Sequence, residues 1–168
     1  REGYIFREYD KSDQRRFHLP CPHCGKKQVL LFGQIKWPKE ESSPERIKNN
    51  RLAWYECAHC KKRIDDIHKQ KMMLAGEWIS EKGEHNRNRG FWVSSLYSPW
   101  LTWSDIAAEF LKSKDYVELL MNFVNSWLAE VWEEKIEETT VDKVRNLARD
   151  YDPGVIPDEV LVLTAGVD

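Results

Sequence analysis

No stretch of this sequence approaches the roughly 18–20 apolar residues that a membrane-spanning helix requires. The amino terminus also lacks the charged-then-apolar pattern of a secretory signal. These two absences predict a soluble chain that stays inside the cell. Several catalytic motifs are missing as well, because the sequence contains no Gly-rich phosphate loop, no nucleophile elbow and no Ser/His/Asp arrangement.

Apolar and aromatic residues are plentiful, at 41% and 12% of 168 residues, and they include eight tryptophans. This supply predicts one medium domain or two small domains with a packed core. The chain begins at Arg1 without a methionine and stops at Asp168, directly after an apolar run over residues 160–167. We expect a fragment of a longer protein whose last run forms a buried strand.

Acidic residues are relatively few in the first half and abundant in the second. Residues 1–90 contain 20 Lys and Arg against 13 Asp and Glu, a net charge of +7. Residues 91–168 contain 6 against 15, a net charge of −9. A basic region suits contact with nucleic-acid phosphates, whereas an acidic one does not. The alternative interpretation is that the two halves attract each other or neighbouring domains.

Cysteine is scarce, and all four cysteines fall in two Cys-x-x-Cys pairs, Cys21/Cys24 and Cys57/Cys60, separated by 32 residues. Disulfides are disfavoured inside cells, so such pairs indicate metal or redox use. A two-residue spacer lets both sulfurs reach one ion at about 2.3 Å. A thioredoxin-type site needs a βαβ context that is missing, and an iron–sulfur centre is less usual at this spacing. We predict one structural zinc site with a closed four-sulfur shell, which leaves no position for a substrate.

His23 and His59 occupy matching positions inside the two pairs, and with four cysteines available we interpret them as exposed residues rather than ligands. Basic residues surround the pairs: Lys26, Lys27, Lys61, Lys62 and Arg63. Contact with phosphates is one interpretation, with Trp37 or Trp54 available for stacking. The alternative is a solvated rim that offsets the negative charge of a zinc–tetrathiolate centre. Arg87 and Arg89 are further candidates for nucleic-acid contact.

The pattern of apolar residues predicts an α+β chain in four parts: a linker over 1–16, a small antiparallel zinc ribbon with a short helix over 17–100, a helical connector over 101–153 and a strand within 154–168. The charged residues 39–51 are expected to form an exposed loop.

The short helix is predicted over residues 67–75, between an acidic cap and a glycine. A capping box at Thr102–Asp105 opens the first connector helix. The strongest helical period runs from Tyr116 to Trp132, and a third helix is predicted from Thr140 to about Asp152.

Asp168 follows the small pair Ala165-Gly166 at the end of the last predicted strand. A carboxylate in that setting is suited to hold a divalent cation. The alternative is a polar residue that ends a strand, because two-metal chemistry needs further carboxylates.

Several segments together resemble the large subunit of tailed-phage terminases of the lambda type. They are Cys-Pro-His-Cys-Gly at the first cysteine pair, Trp-Tyr-Glu-Cys-Ala-His-Cys at the second, Gly-Phe-Trp-Val-Ser-Ser-Leu-Tyr-Ser-Pro-Trp over 90–100, Phe-Val-Asn-Ser-Trp-Leu-Ala-Glu over 123–130, and Leu-Thr-Ala-Gly-Val-Asp over 163–168. The Ser-Leu-Tyr-Ser-Pro-Trp and Ala-Gly-Val-Asp elements are the specific ones, because zinc knuckles occur in many families.

The resemblance implies a DNA-packaging motor with an N-terminal ATPase and a C-terminal nuclease of RNase H-like fold. This chain would be the stretch between them, ending in the first nuclease strand, and Asp168 would be the first metal-binding, catalytic carboxylate. Implied cofactors are Zn²⁺ in the ribbon, Mg²⁺ or Mn²⁺ in the nuclease and ATP in the motor.

The partners that the resemblance implies are double-stranded DNA, the terminase small subunit and the portal protein, in an oligomer in the cytoplasm of the bacterial host. The fragment alone is expected to be inactive. The alternatives are a free-standing zinc-ribbon module that binds nucleic acid or protein without catalysis, and a structural adaptor without DNA contact.

Overall fold

Two small, mainly antiparallel sheets and five short helices form the part of the chain that the computed structural model describes, residues 3–83 and 87–133. The strands are β1 (Arg15–Pro20), β2 (Lys27–Val29), β3 (Ile35–Lys36), β4 (Trp54–Glu56), β5 (Arg63–Ile64), β6 (Glu77–Ser80) and β7 (Phe91–Trp92). The helices are α1 (Tyr4–Asp10), α2 (Pro44–Asn49), α3 (Lys69–Leu74), α4 (Trp103–Ser113) and α5 (Val117–Asn122). The predicted mixture of helices and antiparallel sheet is confirmed. Among these helices none is long and apolar enough to cross a membrane.

The first sheet has the strand order β2-β1-β6, and β7 pairs with β1 in parallel. The second sheet has the order β3-β4-β5. The hairpins β1–β2 and β4–β5 are antiparallel, and each carries one cysteine pair in its turn. In the second sheet Ile35, Tyr55 and Ile64 are paired across the strands and all three are buried. This alternation of buried and outward residues places one face of the sheet on the core.

Helix α4 covers that face. Its buried residues Trp103, Ile106, Ala107 and Leu111 repeat at helical spacing, and the Trp103 ring lies 5.1 Å from the Tyr55 ring. Burial of each large side chain of this kind contributes about 1.5–3 kcal/mol. The predicted capping box is confirmed, because the Thr102 hydroxyl accepts the amide of residue 105 while the carboxylate of that residue accepts the Thr102 amide.

The expectation of an exposed loop over residues 39–51 is wrong for α2. Ser43 is the N-cap of this helix and its hydroxyl accepts the Arg46 amide at 3.4 Å, while Pro44 occupies the first turn. Ile47 is completely buried against the core. A Ser-Pro start is a recognised helix signal, and the surrounding charges hid it.

The observed helix is shorter than the one predicted from the apolar residues between Tyr116 and Trp132. α5 ends at Asn122 and a π-helical turn, Phe123–Trp127, follows it. Ala129 then has φ 55°, a left-handed conformation that stops a helix, and its carbonyl accepts the Trp92 indole N–H at 2.8 Å. The apolar residues thus keep helical spacing beyond the end of the helix. The hydrogen bond from Trp92 to the Ala129 carbonyl fixes the backbone in a different conformation at that point.

The chain divides into two units, and the second, residues 134–168, lies outside the described residues. The helix predicted over 140–152, the strand over 160–167 and Asp168 lie there as well. Residues 1–16, predicted to be a linker, include α1 and the first two residues of β1.

Candidate metal centre and nucleic-acid interface

The two cysteine pairs form hairpin turns with matching backbone hydrogen bonds. In the first turn the Cys21 amide donates to the Lys26 carbonyl at 2.9 Å, and in the second the Cys57 amide donates to the Lys62 carbonyl at 3.0 Å. We call residues 21–26 and 57–62 the first and second knuckle. Matching bonds give the two knuckles the same local shape, so each directs its pair of sulfurs in the same way.

The four sulfurs of the knuckles converge. All of them lie within 4.8 Å of one another, and the Cys21–Cys60 and Cys24–Cys57 Sγ atoms are 3.9 Å apart. A tetrahedral ion with sulfur bonds of about 2.3 Å requires sulfur–sulfur edges of about 3.8 Å. The donor set and its spacing therefore fit one metal ion. Within the described residues no other group of three or more His, Cys, Asp or Glu side chains comes close enough to share an ion.

Backbone amides point at the sulfurs that lie deepest. The His23 amide lies 3.4 Å from Cys21 Sγ, while the amides of His59 and Cys60 lie 3.4 and 3.5 Å from Cys57 Sγ. Burial raises the pKa of the Cys21 thiol to about 12. Burial also opposes ionisation of Cys57, but its two amide donors prevail and lower its pKa to about 6. Cysteine binds metal as the thiolate, so the amide donors of the second knuckle favour the metal-binding form of Cys57.

Histidines tie the two knuckles together reciprocally. The His23 Nε2 atom lies 2.8 Å from the Arg63 carbonyl, and the His59 Nε2 atom lies 3.1 Å from the Lys27 carbonyl. Each imidazole thus donates to the strand that leaves the other knuckle. Both rings are exposed and neither belongs to the cysteine cluster, as predicted. The cross-knuckle bonds were missed, although the matching positions of the two histidines were a visible signal.

Two of the predicted basic contacts are already engaged within the protein. Lys27 forms an ion pair with Glu77. Arg63 forms one with Asp65 at 2.6 Å, and its guanidinium lies 4.9 Å over the Trp54 ring. The Trp54 face that was proposed for base stacking is therefore occupied by Arg63.

Lys26, Lys61 and Lys62 are exposed, and none has an acidic side chain at ion-pair distance within the described part of the chain. Lys61 has φ 60°, and the matching position of the first knuckle is Gly25 with φ 71°. A residue with a Cβ atom pays about 1 kcal/mol for this left-handed conformation, whereas glycine does not. Lysine is thus a costly choice at position 61.

Lys61→Gly is expected to stabilise the zinc-loaded protein by about 0.5–1 kcal/mol, after allowance for the larger unfolded-state entropy of glycine. Lys62→Gly is the matched control, since Lys62 is the neighbouring lysine and has no positive φ. The control should lower stability. Denaturant midpoints measured at equal zinc concentration test this difference, and shifts of the same sign in both variants would contradict it.

Arg87 and Arg89 lie outside the knuckles. Arg87 is exposed, whereas an Nη atom of Arg89 lies 3.5 Å from the carboxylate of Asp13. Asp13 is buried and also binds Arg15 at 2.7 Å and the Gly90 amide at 3.1 Å. Burial opposes its charge, but these donors hold the pKa of Asp13 below its usual value. Arg89 therefore contributes to a structural ion-pair network.

Two family models match the chain. The model described as "Phage terminase large subunit gpA, ATPase domain" matches residues 1–78, and "Terminase large subunit gpA, endonuclease domain" matches residues 88–168. The protein "Terminase, large subunit" of Escherichia phage lambda is 30% identical over 175 residues, covering 91% of this chain and 26% of that protein. The protein of the same name from Enterobacteria phage P21 is 31% identical over 185 residues, with the same coverages. The chain thus spans about a quarter of the length of these relatives. No solved structure matches it.

Proposed function

We propose that this chain, which belongs to the large-subunit family of lambda-type phage terminases, is the zinc-ribbon connector between the ATPase and the nuclease of a DNA-packaging enzyme. The observation that carries this proposal is the cluster of four sulfurs at tetrahedral spacing, built by two matched knuckles. Matches to an ATPase model before residue 79 and a nuclease model after residue 87 favour a connector over a free-standing binding module.

The parent protein, in this proposal, couples ATP-driven translocation to metal-dependent cleavage of concatemeric DNA. It uses ATP in its motor and Mg²⁺ or Mn²⁺ in a nuclease of RNase H-like fold. It works as an oligomer with the terminase small subunit and the portal protein in the host cytoplasm. Asp168, which is the last residue matched by the nuclease model, is proposed as a catalytic, metal-binding carboxylate of that nuclease.

Cys21, Cys24, Cys57 and Cys60 would hold Zn²⁺ as four thiolates. The ion would supply a cross-link between the two hairpins, and a closed sulfur shell leaves it no position for a reacting group. The protein itself orients the sulfurs through the knuckle amides, and the two histidines join the hairpins across the site. The ribbon therefore has a structural role: the metal site holds the two hairpins together and takes no part in a reaction.

Duplex DNA is the partner that we propose for the knuckle surface. Lys26, Lys61 and Lys62 are exposed and confined to two short turns, and no acidic side chain among the described residues forms an ion pair with them. Lys61 adopts a backbone conformation that glycine adopts more easily, which favours a role for its charge outside folding. Phosphates are the ligands that such a cluster attracts.

Replacing Lys26, Lys61 and Lys62 together with glutamine is expected to weaken binding to a short duplex. The slope of log affinity against log salt concentration is negative, and its magnitude should decrease by about 2.7 if each lysine contacts one phosphate. Lys39, Lys112 and Lys114 are exposed, lie outside the knuckles and give a control triple with the same change in charge. Fluorescence anisotropy over a series of salt concentrations measures both. Equal slopes for the two triples would overturn the proposed contact, while stoichiometric zinc in both confirms that the fold is intact.

A further inference from the structure

The interval between the two family matches, residues 79–87, lies inside one folded unit rather than between two. Strand β6 comes before most of this interval and β7 after it, and both pair with β1 in the same sheet. The main chain is also joined directly, because the Arg15 amide donates to the Gly90 carbonyl at 2.7 Å and the Asp13 amide donates to the Asn88 carbonyl at 2.9 Å. The sheet therefore includes strands from both sides of the interval.

Close packing at Gly90 supports the same conclusion. A Cβ atom added there would lie 1.9 Å from the Ser12 hydroxyl oxygen and 2.9 Å from the Tyr9 ring. We call the described residues 88–133 the nuclease-side segment and residues 3–78 the ATPase-side segment. At Gly90 the backbone of the nuclease-side segment contacts the turn between α1 and β1, with no space for even a methyl group between them.

Tyr97 crosses the interval through its hydroxyl group. This oxygen donates to the Phe17 carbonyl at 2.8 Å and accepts the Leu30 amide at 2.8 Å. The Tyr97 side chain is 2% exposed, so water does not replace these partners. One nuclease-side residue therefore satisfies two backbone groups of the ATPase-side segment, a carbonyl in β1 and an amide directly after β2.

The start of α4 is joined to the ribbon in the same way. The Ser104 hydroxyl accepts the Ala53 amide at 2.9 Å just before β4, and both residues are buried. The Trp103 amide donates to the Asp66 carboxylate at 2.8 Å. The indole of Trp103 packs on Tyr55, two residues before Cys57. A short path thus leads from a zinc ligand to the first helix of the nuclease-side segment.

We infer that residues 88–133 and the zinc ribbon form one cooperative unit, so that metal in the knuckles controls the order of the segment that begins the nuclease match. The identity of the metal as zinc, and of the neighbouring domains as a motor and a nuclease, rests on the proposed function. The cooperative unit rests on the contacts described above. In the parent this unit acts as a rigid coupler, because residues 97–104, which lead into α4, cannot leave the ribbon without exposing the polar groups that Tyr97 and Ser104 satisfy.

Hydrogen exchange on the whole chain tests the inference. Removal of zinc with a chelator is expected to accelerate exchange in β4 and in α4 by the same factor, since both open together. Retained protection of α4 after β4 has become exposed would overturn it. Zinc content, measured separately, tells whether the metal site itself is the part that fails.

Tyr97→Phe provides a test that does not depend on metal. Loss of the hydroxyl leaves a buried amide and a buried carbonyl without this partner, and exchange should become about 10- to 100-fold faster on both sides of residues 79–87. Tyr116→Phe is the matched control, because Tyr116 is 65% exposed and should change nothing. Faster exchange restricted to one side would show that Tyr97 acts locally and would contradict the cooperative unit.

Discussion

Cys57→Ser is expected to abolish stoichiometric zinc binding and to unfold the described unit at ambient temperature. Cys57 is completely buried, and its sulfur accepts hydrogen bonds from two backbone amides. Serine is too weak a ligand to replace it at neutral pH. A structural zinc ion contributes about 10–16 kcal/mol in small zinc domains, which is comparable to or larger than the whole stability of about 5–15 kcal/mol of an ordinary domain. We therefore expect a loss of more than about 5 kcal/mol, measured as zinc per chain by elemental analysis and as the unfolding midpoint by circular dichroism.

His59→Gln is the control for this substitution. His59 belongs to the same knuckle, but its imidazole binds the Lys27 carbonyl and lies outside the cysteine cluster. The variant should keep one zinc ion per chain and lose about 1 kcal/mol with the cross-knuckle hydrogen bond. Zinc-free His59→Gln would show that the histidine is a ligand. A folded, zinc-loaded Cys57→Ser protein would refute the four-sulfur site.

The sulfur cluster could be predicted from the sequence because its information is local. Residue type sets the chemistry of the ligands, and the two-residue spacers set the shape of each knuckle. The convergence of both pairs needed only one long-range assumption, that they serve the same ion. The cross-knuckle bonds of His23 and His59 depend on how one hairpin docks against the other, so matching positions hinted at a shared role without naming the partner atoms.

The sequence pattern gave wrong predictions at two places where tertiary contacts determine the backbone conformation. α2 lies in a stretch rich in charged residues, yet Ile47 alone supplies its buried contact and Ser43 with Pro44 supplies its start. The apolar period of α5 continues past Asn122, but the bond between Trp92 and Ala129 fixes the turn that follows. In both cases one residue outweighed the average of its neighbours.

The contacts that join the zinc ribbon to residues 88–133 could not be predicted from the sequence pattern. The resemblance singled out the segment that contains Tyr97, but gave no reason for a tyrosine at that position. The structure supplies a reason, because the Tyr97 hydroxyl both accepts from the Leu30 amide and donates to the Phe17 carbonyl. The RNase H-like strand and the role of Asp168 stay predictions, since they lie outside the described residues.

Asp168→Asn in the full-length parent is expected to reduce divalent-cation-dependent DNA cleavage by at least about 100-fold. Asparagine keeps the shape of the side chain but removes the negative charge, and its single carbonyl oxygen is a weaker ligand for Mg²⁺ or Mn²⁺. Metal stabilisation of a phosphoryl transition state contributes several kcal/mol, and each 1.36 kcal/mol corresponds to about tenfold in rate.

The ribbon and the nuclease respond separately in this test, which makes the assignment of Asp168 specific. Zinc content and duplex binding should be unchanged in Asp168→Asn, because the knuckles use other residues. Asp158→Asn supplies the same isosteric change ten residues upstream in the same segment and should cleave normally. Cleavage by Asp168→Asn at the parental rate would return Asp168 to the role of a polar residue that ends a strand. Equal losses in both variants would point to a general need for negative charge in this segment, and not to a metal ligand at residue 168.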